Sequence, residues 1–140
     1  MSKDKKEGKV GYELRNVVVE LKYVERVKLA NLEYGTLIRL KTTEHSYEFA
    51  LIDPRTGLCV MYGTDKDVLL NPVRCTISGS VINEGFSSLF SNFIVKEFYL
   101  ELIIYNYYGK IYIGPIEGVD VEPNSPLAKK MIEDINNKAH

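Results

Sequence analysis

Apolar and polar residues alternate with a period of two over residues 94–116, which is the clearest pattern in the chain. Because successive side chains leave a strand on opposite faces, this alternation predicts the two strands of a hairpin, with Gly109 closing the loop between them. The register that we expect sets Ile104 opposite Ile111, so that the isoleucines of the return strand join the apolar face.

The same period of two predicts a series of earlier strands, which cover residues 13–23, 36–42, 47–52, 58–62 and 73–78. We expect Thr42 to lie opposite Tyr47 across one turn, and Asp53 to lie opposite Leu58 across the next. Apolar residues occupy both faces of the meander over residues 36–62. A second sheet, a helix or a partner must therefore cover each of these faces.

A different spacing predicts a short internal helix. One stripe of an amphipathic helix has apolar residues at positions i, i+3, i+4 and i+7. That spacing is shown by Phe86, Leu89, Phe90 and Phe93. Gly85 and the serines of this segment are poor helix formers, so packing of the apolar stripe would have to hold the helix in place.

A second helix is predicted over residues 125–137. Ser125 is a favourable N-cap, and Pro126 is favourable at the first helical position. The stripe that we expect to be buried consists of Leu127, Ala128, Met131, Ile132 and Ile135.

Together these patterns predict a mostly β fold: an antiparallel β-barrel or a two-layer sandwich of about seven or eight strands, with a short internal helix and a C-terminal helix. Residues 24–34 fit either a strand or a helix, and we take the strand. We expect a disordered polar tail over residues 1–9 and a single β-rich domain over residues 10–140. The polar N-terminus does not resemble a signal peptide, and no apolar run reaches the ~18 residues of a membrane helix.

Composition adds little to this picture. The 45% hydrophobic and 26% charged fractions are typical of a soluble globular protein. A net charge of −1 argues against bulk electrostatic binding, so nucleic acid is a weaker partner candidate and no membrane contact is expected. Cys59 and Cys75 are too few for a disulfide scaffold and predict reduced, buried thiols in a cytoplasmic protein. The absence of Gln beside abundant Lys, Glu, Ile and Tyr is a thermophile-like composition.

Groups that could carry catalysis are few. His45 falls in a predicted turn, and His140 is the last residue. The spacing of Cys59 and His45 permits a nucleophile–base pair, but such a spacing also arises by chance. The closely spaced Cys or His ligands that zinc needs are missing. The carboxylates considered for acid–base chemistry are Asp53, Asp65 and Glu101. We assign no catalytic residue, metal or cofactor, and we expect binding rather than enzyme activity.

Tyrosine is the one residue type in excess, with ten copies. The register of the 94–116 hairpin predicts an interaction face made of Tyr99, Ile103, Tyr105 and Tyr112, with Tyr107 and Tyr108 at the loop tip. Such a face either packs, under a helix or in a homo-oligomer, or stacks the bases or sugars of a ligand. Glu97 and Glu101 oppose the basic groove that single-stranded nucleic acid would need. A second candidate contact surface is the predicted binding loop formed by Phe86, Leu89, Phe90 and Phe93.

The function that we expect is therefore a non-catalytic interaction or structural module, as a subunit of a homo- or hetero-oligomeric assembly. Its partner would be a second copy of the chain or another protein. The alternative is a binder of single-stranded nucleic acid or glycan that uses the tyrosine-bearing sheet face. Strands that are apolar on both faces, together with the missing catalytic groups, favour the interaction module.

Overall fold

The computed structural model of the protein describes residues 26–63, 72–82, 89–105 and 109–138. Several predicted features fall outside these ranges: the tail over residues 1–9, the strand over residues 13–23, and Phe86, Tyr107 and Tyr108. Within the ranges the chain is mostly β, with two antiparallel sheets of two and eight strands and a C-terminal helix.

The alternating segments form the strands, and the 3.6-residue pattern at the end of the chain forms the helix. The strands are β1 (Arg26–Lys28), β2 (Leu37–Thr42), β3 (Ser46–Asp53), β4 (Leu58–Gly63), β5 (Val73–Val81), β6 (Phe90–Ser91), β7 (Phe93–Val95), β8 (Tyr99–Ile104), β9 (Ile111–Ile113) and β10 (Ile116–Glu122). The helices are a short 3-10 helix at Leu29–Asn31 and α1 at Pro126–Lys138. Residues 24–34 therefore contain both a strand and a helical turn.

The larger sheet follows the order β10, β2, β3, β4, β5, β8, β9, and β6 pairs with β5. Its two edge strands, β9 and β10, are joined only by Gly114 and Pro115. The three Cα–Cα steps from Ile113 to Ile116 span at most roughly 11 Å. The sheet must therefore curl until its two edges lie close together.

The curled sheet does not close into a barrel, because β9 and β10 do not pair with each other in the part of the chain that the structure describes. Instead, the N–H of Ile116 donates to the carbonyl of Phe98 at 2.9 Å, and the N–H of Glu97 donates to the carbonyl of Ile116 at 2.7 Å. β1 and β7 pair as a small second sheet, whose Val27 and Ile94 are buried against the larger one. Of the two expected architectures, the structure is the sandwich-like one.

Both faces of the larger sheet are covered over β2, β3 and β4, as their apolar residues require. The inner face shares the main core with the small sheet, and the core's large buried side chains include Leu29, Ile38, Leu40, Phe49, Leu51, Met61, Ile77, Ile94, Leu100, Leu102 and Ile116. The outer face has a smaller core beneath α1, made of Leu37, Ala50, Val60, Ala128, Met131 and Ile132.

A β-bulge in β3 determines which residues of β4 face α1. Asp53 lies opposite Leu58, as predicted, and that pairing alone would set Val60 opposite Leu51. The register shifts between Leu51 and Asp53, so that Cys59 rather than Val60 lies opposite Leu51. Val60 therefore joins the core under α1, and Cys59 joins the main core, which reverses the predicted faces.

Two hairpin registers differ from the predicted ones by two residues. Leu40 lies opposite Tyr47, and Leu102 lies opposite Ile111. The first of these turns is tighter than predicted, since the N–H of Thr42 donates to the carbonyl of His45 at 2.9 Å. Because side chains alternate with a period of two, a slip of two residues leaves each side chain on its predicted face.

The predicted internal helix is wrong for residues 89–93, which form β6, a turn and the start of β7. Asn92 in the turn has a φ of 68°, which is outside the right-handed helical region. The serines of this segment are poor helix formers, and the N–H of Asn92 instead donates to the carbonyl of Ser78 in β5 at 2.9 Å. Strand pairing thus replaces the weak helix.

The N-terminus of α1 agrees with the prediction. The Ser125 hydroxyl accepts a hydrogen bond from the N–H of Ala128 at 3.1 Å, and Pro126 is the first helical residue. Ala128 and Ile132 are buried, but Leu127 is 42% exposed, so the predicted buried stripe is wrong at this residue. No helix in the described ranges has both the length and the apolar character needed to cross a membrane.

Candidate interaction surface

The candidate interaction face lies on the outer face of the larger sheet, at β8 and β9. Leu100 and Leu102 of β8 point into the main core, so the residues between them point outward. Glu101 lies opposite Tyr112, which brings the outward residues of both strands together. The structure therefore places on one face Tyr99, Ile103, Tyr105 and Tyr112, which we call the tyrosine face.

The tyrosine face is partly open to solvent. Ile103 is 43% exposed and Tyr105 is 65% exposed, whereas Tyr99 and Tyr112 are half-buried. α1 covers another part of the same sheet face, and near its C-terminal end the Arg74 guanidinium donates to Oδ1 of Asn136 at 3.1 Å. The open patch thus begins beside the end of the helix.

A shallow hollow of about 170 Å³ lies in this open patch, and it is lined by Leu58, Arg74, Cys75, Thr76, Ile103 and Tyr105. The N–H of Tyr105 donates to the carbonyl of Arg74 at 3.0 Å. Strand pairing therefore holds an aromatic ring and a guanidinium on neighbouring backbones. Arg and aromatic side chains are the ones most often found at the energetic centres of protein interfaces.

Sequence reasoning did not single out Arg74 or Thr76 as members of this surface. Their signal is their parity in β5, where they alternate with the buried Cys75 and Ile77. That parity marks them as outward-facing, but it does not reveal that Thr76 lies opposite Ile103. Such long-range pairing depends on the fold of the whole sheet.

Glu101 is buried within the tyrosine face, with 5% of its surface exposed. Its carboxylate accepts a hydrogen bond from the Tyr112 hydroxyl at 3.2 Å and lies 3.5 Å from the Lys110 ammonium. A buried carboxylate is costly unless it is paired and hydrogen-bonded, and here it is both. Burial, followed by the hydrogen bond to Glu101, raises the pKa of Tyr112. The three side chains form a polar border along one side of the exposed patch.

The second candidate surface is the predicted binding loop, of which Phe90 lies in β6 of the larger sheet and Phe93 in β7 of the small sheet. Leu89 and Phe90 are each 42% exposed, and the ring of Phe90 lies 5.4 Å from that of Phe98. Phe93 is half-buried, and the Arg26 and Lys28 side chains lie 5.9 Å from its ring centre. Phe93 thus belongs to the small sheet, and a contact role for this loop stays a prediction.

The residues considered for catalysis are not brought together. Asp53 Oδ1 accepts a hydrogen bond from the N–H of Arg55 at 3.0 Å, which is a local turn contact, and Asp65 lies outside the described ranges. His45 precedes β3, and Cys59 pairs with Leu51 near the other end of that strand, roughly 20 Å away at strand spacing. Across the described residues no group of three or more His, Cys, Asp or Glu side chains could hold a metal ion.

Comparisons with protein-family models, curated proteins and solved structures find no match to this chain.

Proposed function

We propose that the protein is a non-catalytic interaction module that binds another protein through the tyrosine face. The observation that supports this most is the exposure of Ile103 and Tyr105, at 43% and 65%, beside a hollow on a regular sheet. A patch of exposed apolar and aromatic side chains with a polar border is the usual composition of a contact surface.

The surface is also held in a fixed geometry. β8 pairs with β5 on one side and β9 on the other, and the N–H of Tyr105 extends the pairing with β5 beyond the end of β8. A side chain on a paired strand loses less backbone freedom on binding than one on a loop. Ile103, Tyr105 and Arg74 therefore form a preorganised patch.

The partner in the simplest version is a second copy of the chain, which would bury the patch against itself. The charges of Glu101 and Lys110 offset each other within 3.5 Å, so like-charge repulsion at this border does not oppose self-association.

Light scattering and native mass spectrometry over a range of protein concentrations test this version. We expect an oligomer that the double variant Ile103→Lys with Tyr105→Glu weakens, by roughly 30-fold in Kd if the pair contributes ~2 kcal/mol. Leu127→Lys is the matched control, because Leu127 is 42% exposed but lies on α1. A wild type that stays monomeric at every concentration contradicts self-association, and equal weakening by the control contradicts the choice of face.

Binding of single-stranded nucleic acid or glycan is the second candidate. It is favoured by one observation, which is that the Arg74 and Tyr105 side chains line the same hollow. A monomeric wild type that binds a labelled oligothymidylate or an oligosaccharide, and loses this binding in Tyr105→Ala, would replace the protein-contact proposal with this one. Loss of binding in Leu127→Lys as well would argue against the hollow as the ligand site.

A further inference from the structure

Cys59 and Cys75 form a directly opposed pair in the middle of the larger sheet. They are cross-strand partners on β4 and β5, and their Sγ atoms are 3.4 Å apart. Both thiols are free, with 0% and 2% of the residue surface exposed. The contact follows from the register of β4 with β5, which sets the two residues opposite each other on one face of the sheet, and the bulge in β3 turns that face of β4 into the main core.

The backbone at this pair has the spacing of a disulfide. The N–H of Ile77 donates to the carbonyl of Gly57 at 2.9 Å, and hydrogen-bonded pairs alternate along an antiparallel ladder, so Cys59 and Cys75 occupy a hydrogen-bonded position. Cα atoms at such positions are about 5.5 Å apart, which lies within the usual disulfide range of about 4.4–6.8 Å. The sulfurs must approach from 3.4 Å to about 2.05 Å, which side-chain rotation can accomplish without moving a strand far.

We infer that Cys59 and Cys75 form a reversible intramolecular disulfide in the folded protein when it meets a low-molecular-weight disulfide such as oxidised glutathione. In the first step the Cys75 thiolate attacks one glutathione sulfur, and one glutathione thiolate leaves. In the second step the Cys59 thiolate attacks the Cys75 sulfur of this mixed disulfide, and the second glutathione leaves. The two cysteines are oxidised to one disulfide, the oxidised glutathione is reduced to two thiols, and the two protein thiol protons end on those thiols.

Both thiols point into the main core, on the face of the sheet opposite the hollow beside Ile103 and Tyr105, so neither is accessible in the closed sheet. Burial raises the pKa of the Cys59 thiol, so this residue is the poorer first nucleophile. The reaction therefore begins at Cys75, depends on local opening of the sheet, and is slow compared with that of an exposed thiol.

Intact-mass spectrometry of the native protein, incubated with oxidised glutathione and quenched with acid, tests the inference. We expect the main product to be lighter by two hydrogen atoms, to carry no glutathione, and to return to the original mass with a reductant. A non-reducing peptide map should contain one peptide pair joined through Cys59 and Cys75. In Cys59→Ala, we expect a product that carries one glutathione on Cys75, because no second thiol is present to displace it. Circular dichroism checks that this variant is folded.

The wild-type measurement tests the proposed disulfide even if Cys59→Ala fails to fold. The same incubation in denaturant shows that the chain can be oxidised at all. A native protein that keeps its reduced mass while the denatured chain forms the disulfide would overturn the inference. Glutathione adducts without loss of two hydrogens, or disulfides between two chains, would overturn it as well.

Discussion

Asn92 joins three separate parts of the fold. Its N–H donates to Ser78 in β5, and its carbonyl accepts from the N–H of Leu29, both at 2.9 Å. Its side-chain oxygen accepts from the N–H of Ala30 at 2.7 Å, while its side-chain nitrogen donates to the carbonyl of Pro54 at 2.9 Å. With φ at 68°, it occupies the left-handed region, which Asn tolerates better than most residues.

Replacing Asn92 should separate the effect of its side-chain hydrogen bonds from the effect of its left-handed backbone conformation. Asn92→Ala loses the side-chain hydrogen bonds and places at positive φ a residue that tolerates this region less well than Asn, so we expect a loss of ~2–4 kcal/mol in the free energy of unfolding. Asn92→Gly loses the same bonds but suits the backbone, and we expect it to be more stable than Asn92→Ala by ~1 kcal/mol. Urea denaturation followed by circular dichroism measures both differences.

Asn124 provides the control for this comparison, because its φ is also positive, at 52°. Its side chain bonds only to the exposed Lys129 ammonium among the described residues. We therefore expect Asn124→Gly to change the free energy of unfolding by less than ~0.5 kcal/mol. Equal losses in Asn124→Gly and Asn92→Gly would show that the side-chain hydrogen bonds of Asn92 do not account for its effect.

At the scale of elements, α1 is attached to the sheet by a narrow buried stripe. Ile132 is 3% exposed, while Leu127, assigned to the same stripe by its sequence spacing, is 42% exposed. We expect Ile132→Ala to cost ~2–5 kcal/mol, because it leaves a cavity against β3 and β4. Leu127→Ala should cost less than ~0.5 kcal/mol. Thermal melts of the two variants provide the test, and comparable losses would mean that Leu127 is covered in solution.

The positions of most elements could be predicted from the period of the apolar residues, but their exact pairing could not. A period of two is unchanged by a slip of two residues, so it does not distinguish Leu40 opposite Phe49 from Leu40 opposite Tyr47. The bulge before Asp53 has no strong local signal, although it turns Cys59 into the main core rather than towards α1. The tyrosine face could be predicted because its members share a parity within one hairpin.

At the scale of the whole molecule, the sheet is assembled by pairing between distant parts of the chain. β10, most of which lies outside the predicted strands, pairs along β2. Asp120 and Glu122 of β10 lie 3.3 and 2.9 Å from the Arg39 guanidinium. This pairing places Ser125 beside the start of β2, where its N–H donates to the carbonyl of Gly35 at 2.9 Å. The docking of α1 therefore depends on the pairing of β10 with β2.

The dependence of α1 docking on the pairing of β10 with β2 predicts that α1 opens before the sheet does. α1 shares only the smaller outer core, whereas β8 contributes Leu100 and Leu102 to the main core and pairs on both sides. Amide hydrogen exchange followed by mass spectrometry should show α1 exchanging at least about tenfold faster than β8, a difference of ~1.4 kcal/mol in opening free energy. Ile132→Ala should accelerate exchange in α1 more than in β8, and Leu127→Ala should leave both nearly unchanged. If α1 and β8 exchange at one rate and Ile132→Ala shifts them equally, the helix and the sheet form a single cooperative unit and the predicted order is wrong.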